Sequence, residues 1–181
     1  MGEITPYLSI RMKIIIGIIL LGLIGFITVR NLNAQVHVSS KSYDVMLSSL
    51  LSHTVNEVGV GDIISESFVL LDARERNEYE VSHIPGAIWV GYEDFDSGRL
   101  DELDKDAPLV VYCSVGYRSE KIAEALTEKG FSNVSNLYGG IFEWVNAGHQ
   151  VVDMQDAETS KVHAYSKSWG VWLKKGKKVY D

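Results

Sequence analysis

The sequence predicts an α/β fold built on a parallel or mostly parallel sheet. Short, uninterrupted apolar runs recur along it, the mark of strands buried on both faces, and segments with helical spacing separate them. Hydrophobic residues make up 46% of the 181 and charged residues 23%, so there is enough apolar side chain to cover such a sheet.

The elements follow in order. "YDVMLSSLLSH" (43–53) spaces Val45, Met46, Ser49, Leu50 and His53 along one helical face. "GVGD" (59–62) begins like a dinucleotide loop, but Ile64 stands where a third glycine is needed, and it reads as a turn. "SFVLLDAR" (67–74) holds a strand, "GAIWVG" (86–91) a second bounded by glycines, and "PLVVYC" (108–113) a third that Pro108 opens. "SEKIAEALTEKG" (119–130) is a helix with Ile122, Ala123 and Leu126 at core spacing, Ser119 as N-cap and Gly130 as stop. "SNVSNLYGG" gives another strand, "IFEWVNAG" a short helix and "QVVD" an edge strand. The domain is expected over 43–153.

Two segments flank it. Ile14 to Val29 is an almost wholly apolar run between Lys13 and Arg30. It is slightly short for a spanning helix, which needs about 20 residues, and long for a signal-peptide core of about 7–15. Residues 1–34 are therefore expected to be either a signal peptide, starting at Met1 or Met12 and cleaved after Ala34, or a membrane anchor. With Arg11 and Lys13 inside, both readings put the rest of the chain outside the cytoplasm. The tail, 154–181, is aromatic and basic, with Tyr165, Trp169, Trp172 and Tyr180 beside Lys174, Lys175, Lys177 and Lys178. It is expected to fold back as a short helix or to dock a partner or anionic membrane.

A net charge of -7, with no basic stripe in the main body, excludes nucleic acid as a partner. The five histidines (His37, His53, His83, His149, His163) show no metal-ligand spacing, so neither metal nor cofactor is expected. One cysteine leaves no internal disulfide.

That cysteine, Cys113, ends a predicted strand and precedes "SVGYR" and a helix. Ligands of open α/β sheets bind beyond the carboxyl ends of strands, and anions sit on helix N-termini. A thiol there meets converging amides, a helix dipole and Arg118, all of which favour the nucleophilic thiolate. Gly116 permits the tight turn that aims the amides inward.

The segment "CSVGYRS" resembles the active-site loop of the rhodanese family. "LLDARERNEYEVSHIPGAIWV" is similar to the family's upstream signature, and "LYGGIFEWVNAGHQVV" to its closing segment. Ser82 stands where glycine is usual and Asn77 where an acidic residue is common. The resemblance implies a five-stranded parallel sheet with helices on both faces, preceded here by the apolar N-terminal helix.

It further implies sulfurtransferase activity. Cys113 would be catalytic, taking sulfur as a persulfide from a small anionic donor such as thiosulfate and passing it to a thiol or cyanide acceptor. Ser114, Val115, Gly116, Tyr117, Arg118 and Ser119 would cradle the persulfide. Arg118 would steer the donor or pair with a carboxylate to hold the loop. Asp72 and Arg74 would support the loop from behind, and His83 would stabilise a turn rather than act as base. Two other readings are a phosphatase or arsenate reductase of the related fold, and a non-catalytic or redox-sensing module that binds a partner through the Cys113 loop. Phosphatase loops place five residues between cysteine and arginine, against four here. The membrane is a partner only if the N-terminal segment is retained, and oligomeric state is left open.

Overall fold

A computed structural model describes residues 36–65 and 67–180, all in one compact unit. The expected signal peptide or anchor at 1–34, with its apolar helix, lies outside the described residues. Among the described residues no helix is long and apolar enough to cross a membrane. The chain runs α1 (Lys41–Leu50), β1 (Asn56–Val58), α2 (Val60–Ser65), β2 (Val69–Asp72), α3 (Arg76–Val81), β3 (Ile88–Trp89) and β4 (Leu109–Tyr112). It continues through α4 (Tyr117–Glu128), β5 (Val134–Leu137), α5 (Gly140–Asn146), β6 (Val151–Val152), β7 (Glu158–Thr159), β8 (Lys161–His163) and β9 (Lys177–Val179).

β4 shows why the fold is α/β. All four of its residues are buried, and they alternate between two cores. Val110 and Tyr112 pack with Tyr43, Leu47, Ile141 and Phe142 of α1 and α5, whereas Leu109 and Val111 pack with Ile122, Ala123 and Leu126 of α4. A strand apolar on both faces demands helices on both faces. The sheet is five-stranded and wholly parallel, in the order β1-β5-β4-β2-β3. β4 lies at its centre, so its carboxyl end opens where the helix following β4 turns back.

Several local expectations are corrected. α1 buries Tyr43 and Leu47, while Val45 is 62% exposed. The longer Val45–Met46–Leu50 stripe misled because Tyr43 and Leu47, one turn apart, sit at its edge. His53 lies beyond the helix in left-handed backbone (φ 55°). "GVGD" is no turn: Val60 begins α2, and Asp62 accepts the Gly59 N–H at 2.7 Å. Gly116, not Ser119, is the N-cap of α4, and Ser119 sits inside its first turn. β6 pairs antiparallel with β7 in a separate two-stranded sheet rather than at the main sheet's edge.

Residues 154–180 fold back on the domain, but as strands rather than a helix. β8 and β9 pair in parallel, with a single 3₁₀ turn (Gly170–Trp172) between them. Val162, Ala164 and Leu173 are fully buried in the same core as α1 and α5. Trp172 stacks on Tyr43 with ring centroids 5.3 Å apart. The Asn146 side chain clamps this return, donating to the Trp172 carbonyl and accepting from Lys174 N–H. The four lysines stay exposed.

Candidate active site

Cys113 follows β4 directly and is almost wholly buried. Its Sγ accepts a hydrogen bond from the Gly116 N–H at 3.1 Å. Gly116 adopts φ 121°, a conformation open to glycine and strained for other residues, which turns its amide toward the sulfur. The first turn of α4 follows at once. Its leading N–H groups have no partner within the helix, so the thiol faces the positive end of a twelve-residue helix.

The loop is fastened from three sides. Asn136 of β5 donates to the Gly116 carbonyl at 3.0 Å, and Ser119 Oγ lies 3.1 Å from the same oxygen and 2.7 Å from Asn136 Oδ1. From α5, Ile141 N–H donates to the Cys113 carbonyl at 2.9 Å and Phe142 N–H to that of Ser114 at 3.2 Å. The paired glycines make this approach possible. A Cβ on Gly140 would lie 2.4 Å from the Cys113 carbonyl oxygen, and one on Gly139 would meet Val38 and Glu143 at 2.7 Å. Tyr43 donates to the Gly139 carbonyl at 2.8 Å. Burial first, and then the field of Cys113, push the Tyr43 phenol up, which keeps that donor protonated.

Arg118 forms the third fastening. Its guanidinium reaches both Glu78 oxygens, at 2.6 and 2.9 Å, and donates to Ser114 Oγ at 3.1 Å. Ser114 Oγ in turn donates to Glu78 at 3.1 Å, and Glu75 lies 3.8 Å from Arg118. Burial would raise the Glu78 carboxyl, but the hydrogen bonds and charge of Arg118, aided by Arg74, hold it below the usual glutamate value. Burial would likewise lower Arg118, and Glu78 and Cys113 outweigh it, so Arg118 stays charged. Of the two roles expected for Arg118, its geometry is that of the carboxylate pair.

Asp72 and Arg74 form a fully buried pair, with Arg74 Nη2 2.6 Å from Asp72 Oδ2 and 2.7 Å from the Ser82 carbonyl. Tyr112, adjacent to Cys113, accepts the Ile84 N–H, and Ala73 N–H donates to the Tyr112 carbonyl. Asp72, in register with Tyr112 at the end of β2, and Arg74 sit beside the strand end that carries Cys113, and neither lines the pocket in front of it. Ser82 stands in extended backbone (φ -174°) that any residue adopts, so replacing glycine there brings no backbone strain. His83 stacks on Tyr79 at 3.9 Å, away from that pocket.

The pocket has a volume of about 260 Å³ and is lined by Leu50, Cys113–Val115, Tyr117, Arg118, Tyr165 and Trp169. Sequence reasoning missed Glu78 as the partner of Arg118, Asn136 as loop anchor, and Tyr165 and Trp169 as pocket walls. A buried arginine needs a buried carboxylate, but nothing local says which. The aromatic richness of the tail was the available signal for Tyr165 and Trp169. Among the described residues no cluster of side chains could hold a metal ion.

Comparison with known proteins agrees with this geometry. The family model of the rhodanese-like domain matches residues 60–147. A thiosulfate sulfurtransferase, GlpE, of Coxiella burnetii is 34% identical over 85 residues, 47% of this chain and 78% of that protein. A putative sulfur carrier protein, YrkF, of Bacillus subtilis is 35% identical over 79 residues, and the match covers 44% of this chain and 42% of that protein, less than half its length. Among solved structures, the rhodanese-like domain of the Alr3790 protein of Anabaena matches with a TM-score of 0.50 and 26% identity, over 54% of this chain and 79% of that one.

Proposed function

The chain belongs to the rhodanese-like family, and from that premise we propose that it is a sulfurtransferase carrying sulfane sulfur on Cys113. The Cys113 thiolate attacks the outer sulfur of a donor such as thiosulfate. A bond forms between the two sulfurs, the donor's own S–S bond breaks, and sulfite leaves with that electron pair. A nucleophile, cyanide or a thiol, then takes the terminal sulfur and returns the thiolate. The residues fit each step. The Gly116 amide and the N-terminal turn of α4 favour an anion at Sγ, first thiolate and then persulfide. The Arg118–Glu78 pair and the α5 amides keep the loop from opening as the sulfur changes partner.

One observation carries the reading: a lone cysteine sulfur receives a loop amide at the floor of a pocket, in a loop with four residues between Cys113 and Arg118. A ring of that length suits one sulfur atom better than a tetrahedral phosphate. The test is intact mass before and after thiosulfate. Wild type should gain one sulfur atom and lose it to cyanide, and Cys113→Ser should gain none while keeping its fold. Hydrolysis of an aryl phosphate at Cys113 without any sulfur gain would replace this reading with the phosphatase one. Retention of the domain outside the cytoplasm is a further part of the proposal, resting on the charged flanks of Ile14–Val29. Protease added to spheroplasts should digest it before lysis.

A further inference from the structure

The tail brings Tyr165 and Trp169 to the mouth of the Cys113 pocket, and the charge there is unusual for a site meant to hold a dianion. Among the described residues Arg118 is the one cationic side chain in the lining, yet both Glu78 oxygens face it and Glu75 stands 3.8 Å away. The guanidinium is thus matched by a full carboxylate before any donor arrives. Its outer face is covered as well, since the Tyr165 ring lies 5.0 Å from its central carbon. The Tyr165 position is built: its N–H donates to His163 Nδ1 at 3.2 Å, and its backbone takes the left-handed turn (φ 62°) that swings the ring over Arg118. Leu50, Val115 and Trp169 complete a wall that is mostly carbon.

Two physical consequences follow. Stripping water from an ion costs more as the square of its charge, and with Arg118 already paired only the Gly116 amide and the start of α4 are left to repay it, which suits one charge better than two. An apolar cavity of roughly 150 Å³ is large enough to take up benzene, so about 260 Å³ has room for an aryl or alkyl group beside the sulfur being transferred.

We propose that Tyr165 and Trp169 set the donor specificity of this site, selecting a singly charged organic sulfane-sulfur donor that carries an apolar group over the thiosulfate dianion. This rests on the sulfur-transfer reading above. With an organic thiosulfonate the step balances as before. The Cys113 thiolate takes the outer sulfur of R–SO₂–S⁻, the S–S bond breaks, and the sulfinate R–SO₂⁻ leaves with the electron pair.

The experiment uses the full chain with benzenethiosulfonate and thiosulfate as donors and cyanide as acceptor, reading thiocyanate formation and persulfide mass. The two donors differ in intrinsic reactivity, so the quantity compared is the ratio of their kcat/KM values in wild type and in variants, where that difference cancels. Trp169→Ala should lower the ratio about tenfold, the worth of one good apolar contact. Tyr165→Asn, a residue that tolerates left-handed backbone, should lower it in the same direction. A measurement on wild type alone guards against a misfolded variant. Benzenesulfonate, which has no sulfur to give, should protect Cys113 from iodoacetamide at concentrations at least about tenfold below those of methanesulfonate. Equal protection by the two sulfonates, or a donor ratio unmoved in folded variants, overturns the specificity proposal while sulfur transfer stands. No mass gain from either donor overturns sulfur transfer itself, and the specificity proposal with it.

Discussion

Glu78 caps α3 by accepting the Glu75 N–H, pairs with Arg118 through both oxygens, and accepts from Ser114. Because its carboxyl is held below the usual value, the stability it contributes is present in full above the unfolded value near 4.5. That contribution is lost as pH falls through the lowered folded value. Glu78→Gln leaves the largely buried Arg118 charge with only the more exposed Glu75 at 3.8 Å, and should destabilise the fold by about 3 kcal/mol, the low end for breaking a buried pair because Arg118 keeps Glu75 and some contact with water. Other carboxylates, Asp44 and Glu124 among them, also weaken in acid, so the decisive quantity is the difference between wild type and variant. Thermal melts from pH 7 to pH 3 should show that difference shrinking below about pH 4.5. A difference constant across that range would mean Glu78 acts by shape and not by charge. Cys113 was legible because packing alone rarely sets a single cysteine between an apolar run, a glycine and a helix start. Glu78 was not, because its partner lies 40 residues away and only the folded sheet brings them together.

At the scale of elements, the site is the meeting of three termini: the end of β4 and the starts of α4 and α5. The strand runs that build the centre, at 67–74 and 108–113, were legible from their apolar character, which only a sheet covered on both faces explains. β1 was not, since "NEV" has one apolar residue and owes its strand to pairing with β5. The paired glycines at 139–140 were visible as a motif, but their reason is tertiary: α5 must come within hydrogen-bond reach of the Cys113 and Ser114 carbonyls. Gly140→Ala tests this. The residue sits at φ 56°, where a side chain costs about 1–2 kcal/mol, and its new methyl group would press on rigid backbone. The loop must shift to make room. We expect a loss of at least about 2 kcal/mol in chemical denaturation and roughly a hundredfold in kcat/KM, since a displacement near 1 Å has that effect on a positioned nucleophile. A variant that is destabilised yet fully active would show that α5 supports the fold without positioning Cys113.

For the whole molecule, the question is whether the C-terminal segment decorates the domain or completes it. The segment is basic and its lysines are solvent-exposed, but periodicity could not show that Val162, Ala164 and Leu173 enter a core shared with Tyr43 and Leu47, more than 100 residues earlier. Leu173 is fully buried there, beside a turn held by Asn146. If the segment completes the domain, Leu173→Ala removes a packed side chain and leaves a cavity, costing about 2–5 kcal/mol in global stability. The melt should stay a single transition, because one core is being weakened and not one of two. The same substitution should also lower the benzenethiosulfonate-to-thiosulfate ratio, as loosening the 3₁₀ turn frees Trp169 just before it. An appended tail predicts a different pair of results: a stability change within about 0.5 kcal/mol, as for surface substitutions, and an unchanged donor ratio. Stability and specificity therefore stand or fall together at Leu173, a residue that touches neither the sulfur nor its donor.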